Sequence, residues 1–212
     1  MWLILFYLSQ HFGISVKFTE VPVFLGGIEM IFEEKKIVLK NGVEAILKTP
    51  EIEDSEMLLN SIKTSSGETE FLSRTIEDWE SVTVESEENF IHNVRESQNT
   101  LFIACYVDGA IAGNCDITFK TGSKTSHRAT VGIALQKKYW NIGIGSAMFK
   151  ELMKAAEQHN GTEIVDLEFI EGNSRAKALY QKFGFQVVSV EPKFFKLKDG
   201  TYQNLVYMQK YL

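Results

Sequence analysis

The stretch Trp140-Asn141-Ile142-Gly143-Ile144-Gly145-Ser146 sits where a strand pattern gives way to a helix pattern. Two glycines let the backbone bend so that successive N–H groups face one spot, and the positive end of the following helix favours an anion there. Chemically this is a phosphate cradle, although a plain helix-start turn fits the same spacing. Two phosphate ligands are excluded by residue type. A dinucleotide fingerprint wants a third glycine where Met148 stands and a first glycine directly at the strand end, whereas Gly143 follows Leu135 by eight positions. A nucleoside-triphosphate loop requires Gly-Lys-Ser/Thr, which is absent here.

The second motif is Asn173-Ser174-Arg175-Ala176-Lys177-Ala178-Leu179-Tyr180-Gln181-Lys182-Phe183-Gly184-Phe185. On its own it reads as a capped amphipathic helix followed by a strand, with Ala176, Leu179, Tyr180 and Phe183 on one face. The pair of motifs together resembles the GNAT superfamily of acetyl-coenzyme A-dependent N-acetyltransferases. The resemblance runs from about Ile37 to Leu212 and is densest between Thr130 and Phe185.

That resemblance implies a mixed sheet in which the strands Ala129–Leu135 and Ile164–Phe169 splay apart. The amides of the pantetheine arm would pair with the first strand at Ile133, Ala134 and Leu135, much as a peptide adds to a sheet edge. The pyrophosphate would rest on the loop Trp140–Ser146, that is on Asn141, Ile142, Gly143, Ile144, Gly145 and Ser146, with Asn173 and Ala176 beside the arm. In one visible place the sequence departs from the family pattern: Trp140 stands where Arg or Gln is common, and Asn141 replaces a frequent Gly. Backbone amides would still hold the pyrophosphate, while Trp140 fits either a lid or a core edge.

The implied reaction is attack by a neutral amine on a thioester, which needs an oxyanion donor, a proton acceptor for the amine and a proton donor for the sulfur. The resemblance places the oxyanion donor at a backbone N–H near Ala134–Leu135 and the acid at Tyr180. A tyrosine spaced with Leu179 and Phe183 is also an ordinary core residue. Asn173 suits both a cofactor contact and a helix N-cap. For the base, some family members use a carboxylate early in the splayed strand, but here that stretch is Arg128-Ala129-Thr130. Glu168, mid-strand on the other side, is the first choice; its alternative is a solvent-facing strand residue. His127 and a water chain with no dedicated base remain open.

Several elements must position these groups. Val43–Thr49 has strand character, Glu53–Lys63 has helical spacing, and Ile76–Val94 reads as a polar helix. Leu101–Val107 and Ile111–Phe119 form a hairpin across Asp108-Gly109. Ala129–Leu135, a helix over Gly145–His159, Ile164–Phe169, a helix over Ser174–Phe183, Phe185–Val190 and Gln203–Tyr211 follow. The fold class is therefore α/β, an α+β mixed sheet with helices on its faces.

The 212 residues and 44% hydrophobic content suit one domain with a sizeable core. A net charge of −6 argues against a general nucleic-acid binder. Between residues 51 and 96, acidic side chains outnumber basic ones by thirteen to three, and an acidic wall there would favour cationic amines. Between 120 and 160 the balance reverses, with seven basic residues against two acidic ones. Cys105 and Cys115 make neither a disulfide framework nor a metal cluster, so a reducing cytoplasm and no metal are expected. The apolar start, Met1–Leu8, is too short to span a bilayer. Residues 1–29 read as a misassigned start or dispensable leader, with the domain over 30–212. Expected partners are acetyl-coenzyme A and a small amine acceptor, with no nucleic acid or membrane span and with a homodimer allowed. The competing functions are a protein or peptide acetyltransferase and an idle acyl-coenzyme A sensor.

Overall fold

The computed structural model describes residues 30–212; the expectations for residues 1–29 lie outside the described residues. Eight strands form one sheet: β1 (Lys35–Val38), β2 (Glu44–Lys48), β3 (Thr100–Val107), β4 (Ala110–Phe119), β5 (Arg128–Leu135), β6 (Ile164–Ile170), β7 (Gln186–Lys196) and β8 (Tyr202–Tyr211). Their order is β1-β2-β3-β4-β5-β6-β8-β7, and the β5–β6 junction is the parallel one. Four α-helices cover it: α1 (Ser55–Glu68), α2 (Val84–Arg95), α3 (Ile144–Gln158) and α4 (Ser174–Lys182). This is the expected mixed α+β architecture.

Strand alternation explains why the sheet needs helices on both sides. On β3, Ile103 and Cys105 point into a core with Met148, Phe149 and Leu152 of α3. Phe102 and Ala104, one residue out of phase, meet Leu58 of α1 and Phe90, Ile91 and Val94 of α2. A strand covered on both faces reads as a continuous apolar run, which is what Leu101–Val107 shows. Tyr180 and Phe185 join the α3 core, so α4 lies on that same side.

Three elements differ from the sequence expectation. Ile76–Val94 is not one helix: a 3-10 turn at Glu77–Trp79 precedes α2. Thr83 interrupts the two, because its Oγ1 accepts the Ser86 N–H and its own N–H donates to Ser86 Oγ. β1 was not foreseen; its short edge pairing to β2 leaves little periodicity to read. β7 runs past Val190 to Lys196 because irregular register between Glu191 and Phe195 carries the strand through Pro192.

The junction that matters is β5–β6. Pairing is confined to Arg128–Ile164, Ala129–Val165 and Thr130–Asp166, after which the strands part. Meanwhile β5 stays paired to β4 through Leu135, and β6 to β8 through Ile170. The closed end is fastened by Arg128, whose Nε donates to Asp166 Oδ2 at 2.8 Å and whose Nη2 donates to Oδ1. Gln209 Nε2 donates to the same Oδ1 at 2.9 Å. Beyond it, β5 loses cover: Ala129 and Val131 are buried, whereas Gly132 to Leu135 are half-buried.

Candidate active site

The parted strands open a cavity of about 270 Å³ lined on one side by Val131–Leu135 and on the other by Glu168, Phe169 and Ile170. Peptide groups on the free edge of β5 from Val131 onward have no neighbouring strand on that side, so a ligand carrying amides can satisfy them. The register of that edge depends on Gly113 of β4. A Cβ at Gly113 would come within 2.3 Å of the Ala134 carbonyl oxygen, so only glycine lets β4 and β5 lie this close at Leu135.

Of the glycine loop, Trp140 lines the cavity and Asn141–Ser146 lie beyond its lining. Gly143 has φ +103°, the left-handed conformation, and it is the N-cap of α3 without supplying a side-chain cap. Asn141 is also left-handed, with φ +66°. The first N–H groups of a helix lack internal partners, so the start of α3 presents donors and a positive dipole end outward. The loop is held from behind, since the Lys40 N–H donates to the Ile142 carbonyl at 3.0 Å. A Cβ at Gly145 would touch Leu135 at 3.4 Å and Leu179 at 3.5 Å, which ties the helix start closely to both β5 and α4.

Trp140 packs as a structural edge. Its indole N–H donates to the Leu135 carbonyl at 2.9 Å, which fixes the end of β5. The Arg175 guanidinium lies 3.7 Å from the Trp140 ring centroid, and its Nε donates to Asn141 Oδ1 at 3.4 Å. Lys182 reaches Ser146 Oγ at 3.3 Å, and the Lys40 side chain passes beside Gly143. Three cations thus ring the loop. Neither Lys40 nor the placement of Arg175 was visible from spacing: Lys40 arrives from the distant β1–β2 turn.

α4 brings the remaining expected residues. Asn173 Oδ1 accepts the Ala176 N–H at 3.1 Å, the N-cap foreseen for it. Tyr180 is 6% exposed and lines the cavity with Ala176 and Leu179. Its ring is caged by Phe149 at 5.4 Å and Phe169 at 5.7 Å between centroids. Burial pushes the Tyr180 phenol above its ordinary range, so it stays protonated and can donate.

A family model described as "Acetyltransferase (GNAT) family" matches residues 65–185. The chain belongs to the GNAT acetyltransferase family. It is 27% identical over 108 residues to an L-amino acid N-acetyltransferase of Escherichia coli, a match covering 51% of this chain and 65% of that protein. It is 30% identical over 123 residues to an N-alpha-acetyltransferase of Sulfurisphaera tokodaii, covering 53% and 72% respectively. The chain therefore spans just under two thirds of the first relative. Among solved structures, a GNAT acetyltransferase from Streptococcus pneumoniae superposes with a TM-score of 0.73 at 26% identity, covering 79% of this chain and 99% of that one. A putative acetyltransferase from Salmonella typhimurium, determined with its cofactor acetyl-CoA, gives 0.67 at 13% identity over 79% and 94%.

Within this GNAT domain the other half of the cavity is built differently. Thr69, Phe71, Leu72 and Ser73, which follow α1, form one wall with Phe195 of β7. Glu168 lines it from β6. His127 lies at the closed end of the strand pair, where its carbonyl accepts the Glu163 and Ile164 N–H groups, and it does not line the cavity. A cavity residue was missed as well. Asp116 of β4 lines the cavity at 2% exposure, and neither carboxylate oxygen has a hydrogen-bond partner among the described residues. Burial raises its pKa well above the usual carboxylate range. In the sequence it is the lone carboxyl of a mostly apolar strand, Ala110–Phe119, with nothing to mark it.

Proposed function

We propose that the chain transfers an acetyl group from acetyl-coenzyme A to the primary amine of a small, cationic acceptor by direct attack on the thioester. The observation that carries this reading is the parting of β5 from β6 beyond Thr130, with Trp140, which opens the glycine loop, lining the gap and Gly145 packed against Leu135. Pantetheine amides pair with the peptide groups of Ile133, Ala134 and Leu135. The pyrophosphate lies on the amides of the Asn141–Ser146 loop, where Lys40, Arg175 and Lys182 add positive charge.

A backbone N–H near Ala134–Leu135 stabilises the oxyanion as the amine adds to the carbonyl carbon. Collapse expels the thiolate, and the buried Tyr180 hydroxyl protonates it. The aromatic cage supports this role, because it holds the ring in one orientation and excludes water. The acceptor enters from the side bearing Glu168 and Phe71, where the surrounding segment carries excess acidic charge.

A second reading is a peptide α-amine as acceptor, favoured by the similarity to an N-alpha-acetyltransferase. A thiol-release screen with acetyl-coenzyme A against diamines, amino acids and N-terminal peptides separates the two. Turnover with diamines supports the first reading, and turnover confined to peptides replaces it with the second. Silence across the panel with intact coenzyme A binding returns the chain to an acyl-coenzyme A sensor.

A further inference from the structure

We propose that Asp116 receives the acceptor's ammonium group and takes its proton, a role the sequence had pointed toward Glu168. The inference rests on the acetyl-transfer reading of the same cavity. Its starting point is the pair of unpartnered, buried carboxylate oxygens. A buried polar group is normally hydrogen-bonded, and a group that lacks a partner among the described residues is available to one supplied by a ligand.

The surroundings define that partner. Across the sheet Asp116 faces Phe102 on β3 and Gly132 on β5, neither of which is ionisable. Gly132 places no side chain between the carboxylate and the gap. The wall after α1 offers Thr69, Phe71, Leu72 and Ser73, again without charge. The ionisable groups that share the cavity are Glu168 on β6 and Arg175 and Tyr180 on α4, while Cys115 precedes Asp116 on the core side of β4. Arg175 is stacked on Trp140 at the cofactor end. Among the described residues lining the cavity Arg175 is the one cation, so positive charge at Asp116 comes with the ligand, which makes that ligand an amine. Among the described residues lining this end of the cavity none is a cation that could hold a carboxylate next to the amine, so the lining suits a diamine better than an α-amino acid.

Position favours the chemistry as well. Asp116 pairs with Gly132, and Asn114 pairs with Ala134, the neighbourhood assigned to the oxyanion. Before the acceptor enters, burial keeps the Asp116 carboxyl protonated. The entering ammonium stabilises the carboxylate, whose proton leaves to solvent, and one proton then passes from the ammonium to that carboxylate. The freed nitrogen lone pair forms the C–N bond, and the carbonyl pair moves to oxygen. That pair returns to break the C–S bond, Tyr180 protonates the departing sulfur, and the second nitrogen proton restores the phenol. Because burial makes the Asp116 carboxylate a stronger base than an exposed one, the transfer to it is easier.

The test compares Asp116→Asn and Glu168→Gln with the unaltered chain, using acetyl-coenzyme A and 1,4-diaminobutane from pH 6 to 9. Asp116→Asn is expected to lower kcat/KM by about 10²–10⁴-fold with unchanged calorimetric affinity for coenzyme A, and Glu168→Gln by about tenfold or less. The rising limb of the pH profile moves to higher pH in Asp116→Asn, leaving only the amine's own ionisation. Near-normal kcat/KM in Asp116→Asn, or an equal loss and limb shift in Glu168→Gln, overturns the proposal while leaving acetyl transfer intact. If no amine in the wider panel turns over, the acetyl-transfer reading itself fails. Calorimetric titration of the coenzyme A complex with the diamine then decides Asp116: binding lost in Asp116→Asn supports its role, and equal or absent binding overturns it.

Discussion

The two halves of the cavity are made from different parts of the chain and by different means. The half proposed to hold the cofactor is mostly backbone: the free edge of β5 and the amides at the start of α3, shaped by left-handed Asn141 and Gly143. The half proposed to take the acceptor is made of side chains, with Asp116 from β4, Glu168 from β6, Phe71 from the segment after α1 and Phe195 from β7. Backbone recognition tolerates side-chain variety but requires particular φ angles and close approaches. Side-chain recognition places its demands on residue identity. A family can thus keep one donor and change acceptors, and single substitutions should act differently on the two sides.

Tyr180→Phe is the largest expected break between the halves. It should cut turnover by about 10²-fold or more, because the hydroxyl matters when sulfur is protonated, while calorimetric affinity for coenzyme A barely moves. Equal losses in both would make Tyr180 a packing residue. Gly113→Ala follows: its Cβ would meet the Ala134 carbonyl at 2.3 Å, so β5 must shift. Overpacking of this kind costs about 1–3 kcal/mol, and a lower denaturation midpoint together with weaker coenzyme A binding checks it.

Gly143→Ala tests the loop by itself. A side chain at φ +103° costs about 1–2 kcal/mol, so coenzyme A affinity should fall about tenfold while the affinity for an acceptor amine is spared. The smallest effect concerns stability. The Asp116 carboxyl has a folded pKa raised above its unfolded value, so the fold binds the extra proton. Its stabilising contribution is complete below the unfolded pKa of about 3.9 and is lost as pH rises toward the folded value. Asp116→Asn should therefore raise the melting temperature at pH 8 relative to the unaltered chain, and by less at pH 4. The opposite trend would show that the carboxylate is already charged and paired in the fold.

What was legible in the sequence follows the same division. The Gly143–Ser146 loop, the Asn173 cap and the Tyr180 helix are local patterns, since each turn, cap or face is dictated by neighbours within a few residues. The parting of β5 and β6 was expected from the resemblance of those motifs, and it is present in the sheet. Asp116 was hidden because its meaning lies in what surrounds it: a lone carboxyl in an apolar strand becomes informative only once Gly132 and the open gap stand beside it. Lys40 was hidden for a similar reason, as the contact between the β1–β2 turn and the glycine loop bridges about half the chain. Thr83 was a missed local signal, because the spacing to Ser86 makes a capping box that divides an otherwise continuous polar segment.

Amide hydrogen exchange with and without coenzyme A tests the central claim most directly. Coenzyme A should slow exchange at residues 131–135, the free edge of β5, and at 143–146, the start of α3, and leave β1 and β7 unchanged. Binding that protects other segments while these amides exchange as before, or no binding at all, would contradict the account.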